Sequence, residues 1–158
     1  MHEITMDNFD RAIAFSLQKD ASLTNNQLAE IVNLSPSQCS RRKSALENNG
    51  IIQSYTANLN AKAMGYNLRA VVRVSLTKHD KLNASRFTEF VSTHDEILEA
   101  HSVSGDADYI LSIHARDLDA FADFIHNMLL PHPDVSQVRS EIVLKTLKAS
   151  NGLKQNTV

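Results

Sequence analysis

The chain has 158 residues, 42% hydrophobic and 22% charged, which is room for one large or two small domains and too apolar for disorder as the main state. It contains no run of 18 apolar residues that would span a membrane, and residues 1–10 carry acids rather than the basic start of a secretory signal. A net charge of −2 argues against an undirected nucleic-acid glue but leaves room for a DNA reader with localised basic residues.

Phe9, Ile13 and Leu17 recur at helical spacing behind the acidic opening Asp7–Asp10, which predicts a first helix ending near Asp20. Thr24 with Gln27 reads as a capping box for a short second helix with Leu28, Ile31 and Val32 inward. Ser35-Pro36-Ser37-Gln38 is another start signal, with a cap, a proline in the first turn and a closing glutamine. It opens a third helix to about Asn49, with Gly50 as terminator. Two short helices separated by a tight turn have the spacing of a helix-turn-helix. The β-forming stretch Ile51–Leu59 reads as a strand or wing, and the domain boundary falls between about Tyr55 and Tyr66.

Beyond it, Leu68–Leu76 reads as a strand and Asn83–His94 as a helix. Ile97–Ser104 and Tyr109–His114 form a hairpin around Gly105–Asp108. A helix through Leu118, Phe121, Ile125 and Leu129 stops at Pro131 and Pro133, and Val138–Leu147 is a final strand. The fold class is therefore α+β: a helix-turn-helix unit followed by a β-α-β-β-α-β, ferredoxin-like domain. Apolar residues occur at both parities of 68–76 (Leu68, Ala70, Val72, Val74 and Leu76 against Val71). Two helices cover only one face of such a sheet, so the other is expected to meet a second copy.

On the third helix Cys39 and Leu46, seven residues apart, should face inward. Ser37, Gln38 and Arg41 point outward, and Arg42 and Lys43 flank the two faces. A run of charge alone usually marks a solvated face. Here the three basics stand in an otherwise slightly acidic segment, with five Lys/Arg against six Asp/Glu over residues 1–60. Within a helix-turn-helix they suit phosphate neutralisation, with Gln or Arg reaching base edges. A lone cysteine on an apolar face reads as a small buried hydrophobe, consistent with a reducing, cytoplasmic setting. The seven histidines form no His-x-x-x-His pair, and no Cys-x-x-Cys, phosphate loop or dinucleotide fingerprint is present. No metal, cofactor or catalytic residue is expected. On local chemistry alone, Asp106 and Asp108 are turn-formers.

Three stretches carry a resemblance: LSPSQCSRRKSALENNGII (34–52), HSVSGDADYIL (101–111) and IVLKTLK (142–148). Together they resemble the Lrp/AsnC family, the feast/famine transcriptional regulators. The resemblance implies a winged helix-turn-helix DNA-binding domain over 1–55, a linker over 56–65, a ligand-binding and oligomerisation domain over 66–148, and a flexible tail over 149–158. It implies double-stranded DNA as partner, dimers joined through their sheets, assembly into tetramers or octamers on the nucleoid, and no membrane. It implies a small effector, usually an amino acid, held between dimers by Ser104, Gly105, Asp106, Asp108 and Tyr109, with Ser140 from the last strand. Turn amides suit a carboxylate and Asp an ammonium group. Two positions depart from the pattern. Ser44 and Ala45 stand where relatives often carry another basic residue, and Val138 and Ser140 stand where they often carry a pair of threonines. Sirohaem decarboxylases resemble the same two-domain arrangement, and that enzymatic alternative would recruit His101 or His114 and several arginines.

Overall fold

The computed structural model describes residues 5–78, 80–149 and 152–153. Among these residues, no helix is long and apolar enough to cross a membrane. The chain divides into two compact units, residues 1–58 with 148–158, and residues 59–147.

The first unit holds α1 (Asn8–Lys19), α2 (Asn25–Val32) and α3 (Pro36–Asn48). Each begins with a reciprocal capping box, Asp7/Asp10, Thr24/Gln27 and Ser35/Gln38, which satisfies amide donors that a helix start leaves orphaned. Asn33 in the left-handed region (φ 55°) turns the chain between α2 and α3. The end of α3 is a Schellman motif. Gly50 N–H donates to Glu47 O and Ile51 N–H to Leu46 O, with Gly50 supplying the positive φ of 70°. Ile13, Leu17, Leu28, Val32, Cys39 and Leu46 are buried between the helices, with Ile51 and Ile52 packed against them. Cys39 has the small-hydrophobe role expected of it, and burial pushes its thiol pKa up. The Gln18 side chain pairs with the backbone of Leu153, donating to its carbonyl (2.8 Å) and accepting from its amide (2.9 Å).

Of the strand or wing expected over Ile51–Leu59, the strand is not found. Among the described residues, the segment from 51 to 59 belongs to no strand. Among these residues no strand neighbours its β-forming side chains, and a strand without a ladder partner leaves its backbone groups to water.

The second unit contains β1 (Leu68–Leu76), α4 (Lys81–Thr93), β2 (Ile97–Ser102), β3 (Tyr109–Ala115), α5 (Leu118–Phe124) and β4 (Val135–Ile142). The strands form an antiparallel sheet in the order β2-β3-β1-β4, the split topology that the element order predicts. The last strand starts earlier than expected and ends at Ile142 rather than Leu147. Among the described residues β4 pairs with β1 alone, in register to Ala70–Ile142, with a last hydrogen bond from Val143 N–H to Arg69 O. The α5 helix runs on as a wider π turn over Ile125–Leu129, marked by Leu130 N–H donating to Ile125 O.

Ala70, Val72, Val74 and Leu76 of β1 and Leu111, Ile113 and Ala115 of β3 form one buried layer with Phe87, Phe121, Phe124 and Leu129 from the helical side. Strand alternation places Val71, Arg73 and Ser75, with their partners Ser112, Ile110, Arg139 and Gln137, on the opposite face. Phe87 is fully buried, and its replacement by Ala should cost about 3–5 kcal/mol.

A polar clamp ties this layer together at one corner. Asp134, 3% exposed, takes both arms of the Arg86 guanidinium (2.7 and 2.5 Å), and its carbonyl accepts from Thr77 N–H. Arg86 holds the Asp134 carboxyl below its ordinary pKa. The Asp134 amide donates to His132 Nδ1 at 3.2 Å, so that nitrogen must be unprotonated. The His132 ring stands edge-on to Phe87 and Phe90. Burial, chiefly, lowers its pKa, with Arg86 and His94 acting in the same direction and Asp134 opposing them. The unfolded imidazole takes a proton near pH 6.5 while the folded one resists it. Stability is therefore intact above about pH 6.5 and declines as pH falls below it. We expect His132→Asn, whose Oδ1 accepts the same N–H without titrating, to flatten the fall in melting temperature between pH 7 and 5, measured by thermal melts across that range.

Candidate nucleic-acid interface and effector loop

The exposed face of α3 carries Ser37, Gln38, Arg41, Ser44 and Ala45, the i, i+3/i+4, i+7 spacing opposite buried Cys39 and Leu46. Its basic residues differ in their surroundings. Among the described residues Arg41 has no hydrogen bond or ion pair, so its fork of donors is free for an outside acceptor. Lys43 sits with Nζ 5.1 Å from the centre of the Tyr55 ring. Tyr55 also donates its hydroxyl to Glu47 (2.8 Å), and burial, with that carboxylate, pushes its pKa up to about 12.

Arg42 departs from the expectation of a phosphate contact. Its guanidinium is turned to α1, bonded to Asp7 (2.8 Å) and Asp10 (2.6 Å), with its carbon 5.5 Å from the centre of the Phe9 ring. Two carboxylates already match its charge. The Asp10 amide and Arg42 hold the Asp7 carboxyl below its ordinary range. The sequence signal was present in the paired acids of the first turn, but spacing within α3 alone could not show which way Arg42 turns.

Gln38 is divided between two tasks. Its Oε1 accepts from the Ser35 amide and hydroxyl, both at 3.0 Å. That leaves Nε2 as a donor toward a purine N7 or guanine O6, rather than the two-bond pairing that glutamine can make with adenine. The Ser37 hydroxyl lies 3.1 Å from that of Ser35.

The loop between β2 and β3 is fixed by Asp108. Its Oδ2 accepts from Leu76 N–H (2.7 Å), its amide donates to Val74 O and its carbonyl accepts from Val103 N–H. Gly105 holds φ +140°, a conformation side-chain-bearing residues rarely adopt, with open space where a Cβ would point. Asp106 is exposed and Ala107 buried.

The expected effector residues do not all converge within one chain. Ser102, Asp108 and Tyr109 line a cleft of about 290 Å³ with Lys78, Asp80 and Lys81, and the Tyr109 ring packs 4.7 Å from Phe87. Asp106 faces a different hollow, with Arg73, Ser75, Gln137 and Arg139. Ser104 is exposed. Ser140 pairs with Val72, so it shares the helix-covered side of the sheet and lines neither hollow. Lys78, Lys81, Arg73 and Arg139 were not foreseen as neighbours of the loop, because the strand pairings that bring them near have no local signal. His101 lies on β2 beside Ile110 and His114 on β3 beside Arg69. Burial, then Arg69, lowers the His114 pKa. Among the described residues, no three His, Cys, Asp or Glu side chains are grouped to hold a metal ion.

These two units define a DNA-binding helix-turn-helix protein with an attached ligand domain. Residues 6–53 match the winged helix-turn-helix DNA-binding family and residues 69–153 the Lrp/AsnC ligand binding domain. The leucine-responsive regulatory protein of Escherichia coli K12 is 36% identical over 148 residues, covering 94% of this chain and 90% of that protein. A transcriptional regulator of Neisseria meningitidis, solved in complex with L-methionine, superposes with a TM-score of 0.91 at 36% identity, covering 95% of this chain and 97% of that one. An AsnC family regulator from Agrobacterium tumefaciens gives 0.88 at 30% identity, covering 94% and 97%. The chain belongs to the Lrp/AsnC family of DNA-binding transcriptional regulators.

The two arginines of α3 should separate on mutation. Arg41→Ala should leave thermal stability within about 0.5 kcal/mol and weaken DNA binding, with the salt slope flattened by about one unit. Arg42→Ala should lower the melting temperature, because it strands Asp7 and Asp10 beside each other. Calorimetry and salt-dependent binding titrations of both variants check this.

Proposed function

We propose that this regulator reads DNA as a dimer or larger assembly in the cytoplasm, at the nucleoid, and that an amino acid tunes its grip. The free Arg41 on the exposed face of a capped α3 carries the DNA reading. Arg41 and Lys43 meet phosphates, and Ser37 and the Gln38 amide nitrogen lie nearest the base edges. Arg42 serves by holding α3 on α1.

For the effector, support comes from the L-methionine in the Neisseria relative and from the chemistry of the loop. Asp106 with Arg73 and Arg139 offers both signs of charge, as a zwitterion requires. Asp108 keeps the loop in shape, and Tyr109 supplies a half-buried wall with a polar tip. Gly105, Ser104 and Ser140 complete the site only when a second dimer brings another copy of the loop and last strand alongside. The face of the sheet bearing Val71, Arg73 and Ile110 is the surface on which two copies pair.

A thermal-shift screen of the amino acids tests the effector. A ligand bound only by the native protein at one hundred times its Kd adds about 2.7 kcal/mol. We expect at least one amino acid to raise the melting temperature, Asp106→Ala to abolish that response, and DNA binding by the first unit to survive. A wild-type protein that responds to none, or an Asp106→Ala protein that responds unchanged, overturns the site. Sedimentation showing only a 17.6 kDa particle at micromolar concentration overturns the dimer.

A further inference from the structure

We infer that the capping box opening α3 also chooses the base: Ser35 holds the Gln38 carboxamide so that only its nitrogen faces outward, and Gln38 therefore reads guanine in preference to adenine. The inference rests on the reading of DNA by α3 proposed above and names the base edge that this helix fits. Residues 6–53 match a DNA-binding family. Gln38 is exposed in the first turn of α3, where a recognition helix of this class meets base edges.

The polarity of the box follows from its donors. A backbone N–H can only donate, so the Gln38 atom 3.0 Å from the Ser35 amide must be the carbonyl oxygen Oε1. The Ser35 hydroxyl donates to the same oxygen, also at 3.0 Å, while its own oxygen accepts from the Gln38 amide at 3.2 Å. A carbonyl oxygen has two lone pairs, and here both are taken. No hydrogen bond among the described residues uses Nε2, which keeps both of its hydrogens.

Glutamine pairs with adenine by accepting from N6 and donating to N7. The first of these bonds needs the oxygen that Ser35 occupies. Guanine presents two acceptors, O6 and N7, and the two Nε2 hydrogens fit them. Adenine in the same place leaves its amino group facing a donor. Ser35 is thus a positioning residue for specificity, acting through Gln38.

The test uses the full-length protein and duplexes that it selects from a random pool, each half-site position then being changed to every other base. One position per half-site should favour guanine over adenine by about fivefold or more, and Gln38→Ala should lose that preference at that position alone. Gln38→Glu keeps the box, because glutamate is an ordinary closing residue, but turns a bare acceptor outward. The preferred base there should change from guanine to cytosine, whose N4 donates. Ser35→Ala removes one of the two bonds that hold the Gln38 oxygen, so the guanine-to-adenine ratio should fall to about twofold or less. Ser35→Thr, which keeps the hydroxyl, should restore it. A mere loss of helix stability weakens all duplexes alike and leaves the ratio unchanged.

The reading of guanine is overturned if Gln38→Ala relaxes no position, if the position it relaxes favours adenine, or if Gln38→Glu still selects guanine. An unchanged ratio in Ser35→Ala overturns the role of Ser35. A wild type that selects no duplex overturns the DNA reading itself, and this inference with it.

Discussion

The placing of the Arg42 guanidinium between Asp7 and Asp10 is the contact on which the reading surface depends. An uncompensated cation at this half-buried position would favour turning outward to water. Matched by two carboxylates, it instead joins the start of α1 to the middle of α3, and the apolar side chains below, Ile13, Leu17, Cys39 and Leu46, close over one another. The direction of α3 follows from this. With Arg42 drawn inward, Arg41 stands outward beside Gln38 and Ser44, and the helix presents one cationic fork rather than two.

The second unit is built on asymmetry of another kind. Both helices pack on one side of the four strands, and the buried layer from Ala70 to Leu76 alternates with a half-covered row from Val71 to Ser75. The loop before β3 is fastened to the end of β1 by two hydrogen bonds of Asp108, and a third closes the loop on Val103. Asp106 is thereby presented at a rigid edge, beside side chains of the open row. Two aspartates two residues apart thus have unlike roles, one holding the backbone and the other facing outward.

Much of this was legible in the sequence because it is local. Capping boxes at Asp7, Thr24 and Ser35, the glycine after α3, and alternation along Leu68–Leu76 each depend on residues within one turn or one strand. What escaped depends on contacts distant in the chain. The strand-like composition of 51–59 finds no neighbour to pair with, the last strand ends where β1 ends, and Arg42 answers to acids 32 and 35 positions away. The candidate loop was visible as a motif. Its neighbours Arg73, Arg139, Lys78 and Lys81 were not, because strand register decides them. Gln38 shows that one side chain can serve two purposes, since the glutamine that predicts the helix start also stands exposed on the outer face of α3.

The pairing of Gln18 with the Leu153 backbone has a consequence for how the molecule is made. The first unit takes residues from before and after the sheet unit, which in chain order is therefore an insertion within it. During synthesis the three helices emerge first and close their core. Gln18, however, must wait for its partner until the chain as far as Leu153 has left the ribosome, including β1 to β4 of the sheet. The DNA-reading unit therefore receives its last hydrogen bonds only after the ligand domain has been made.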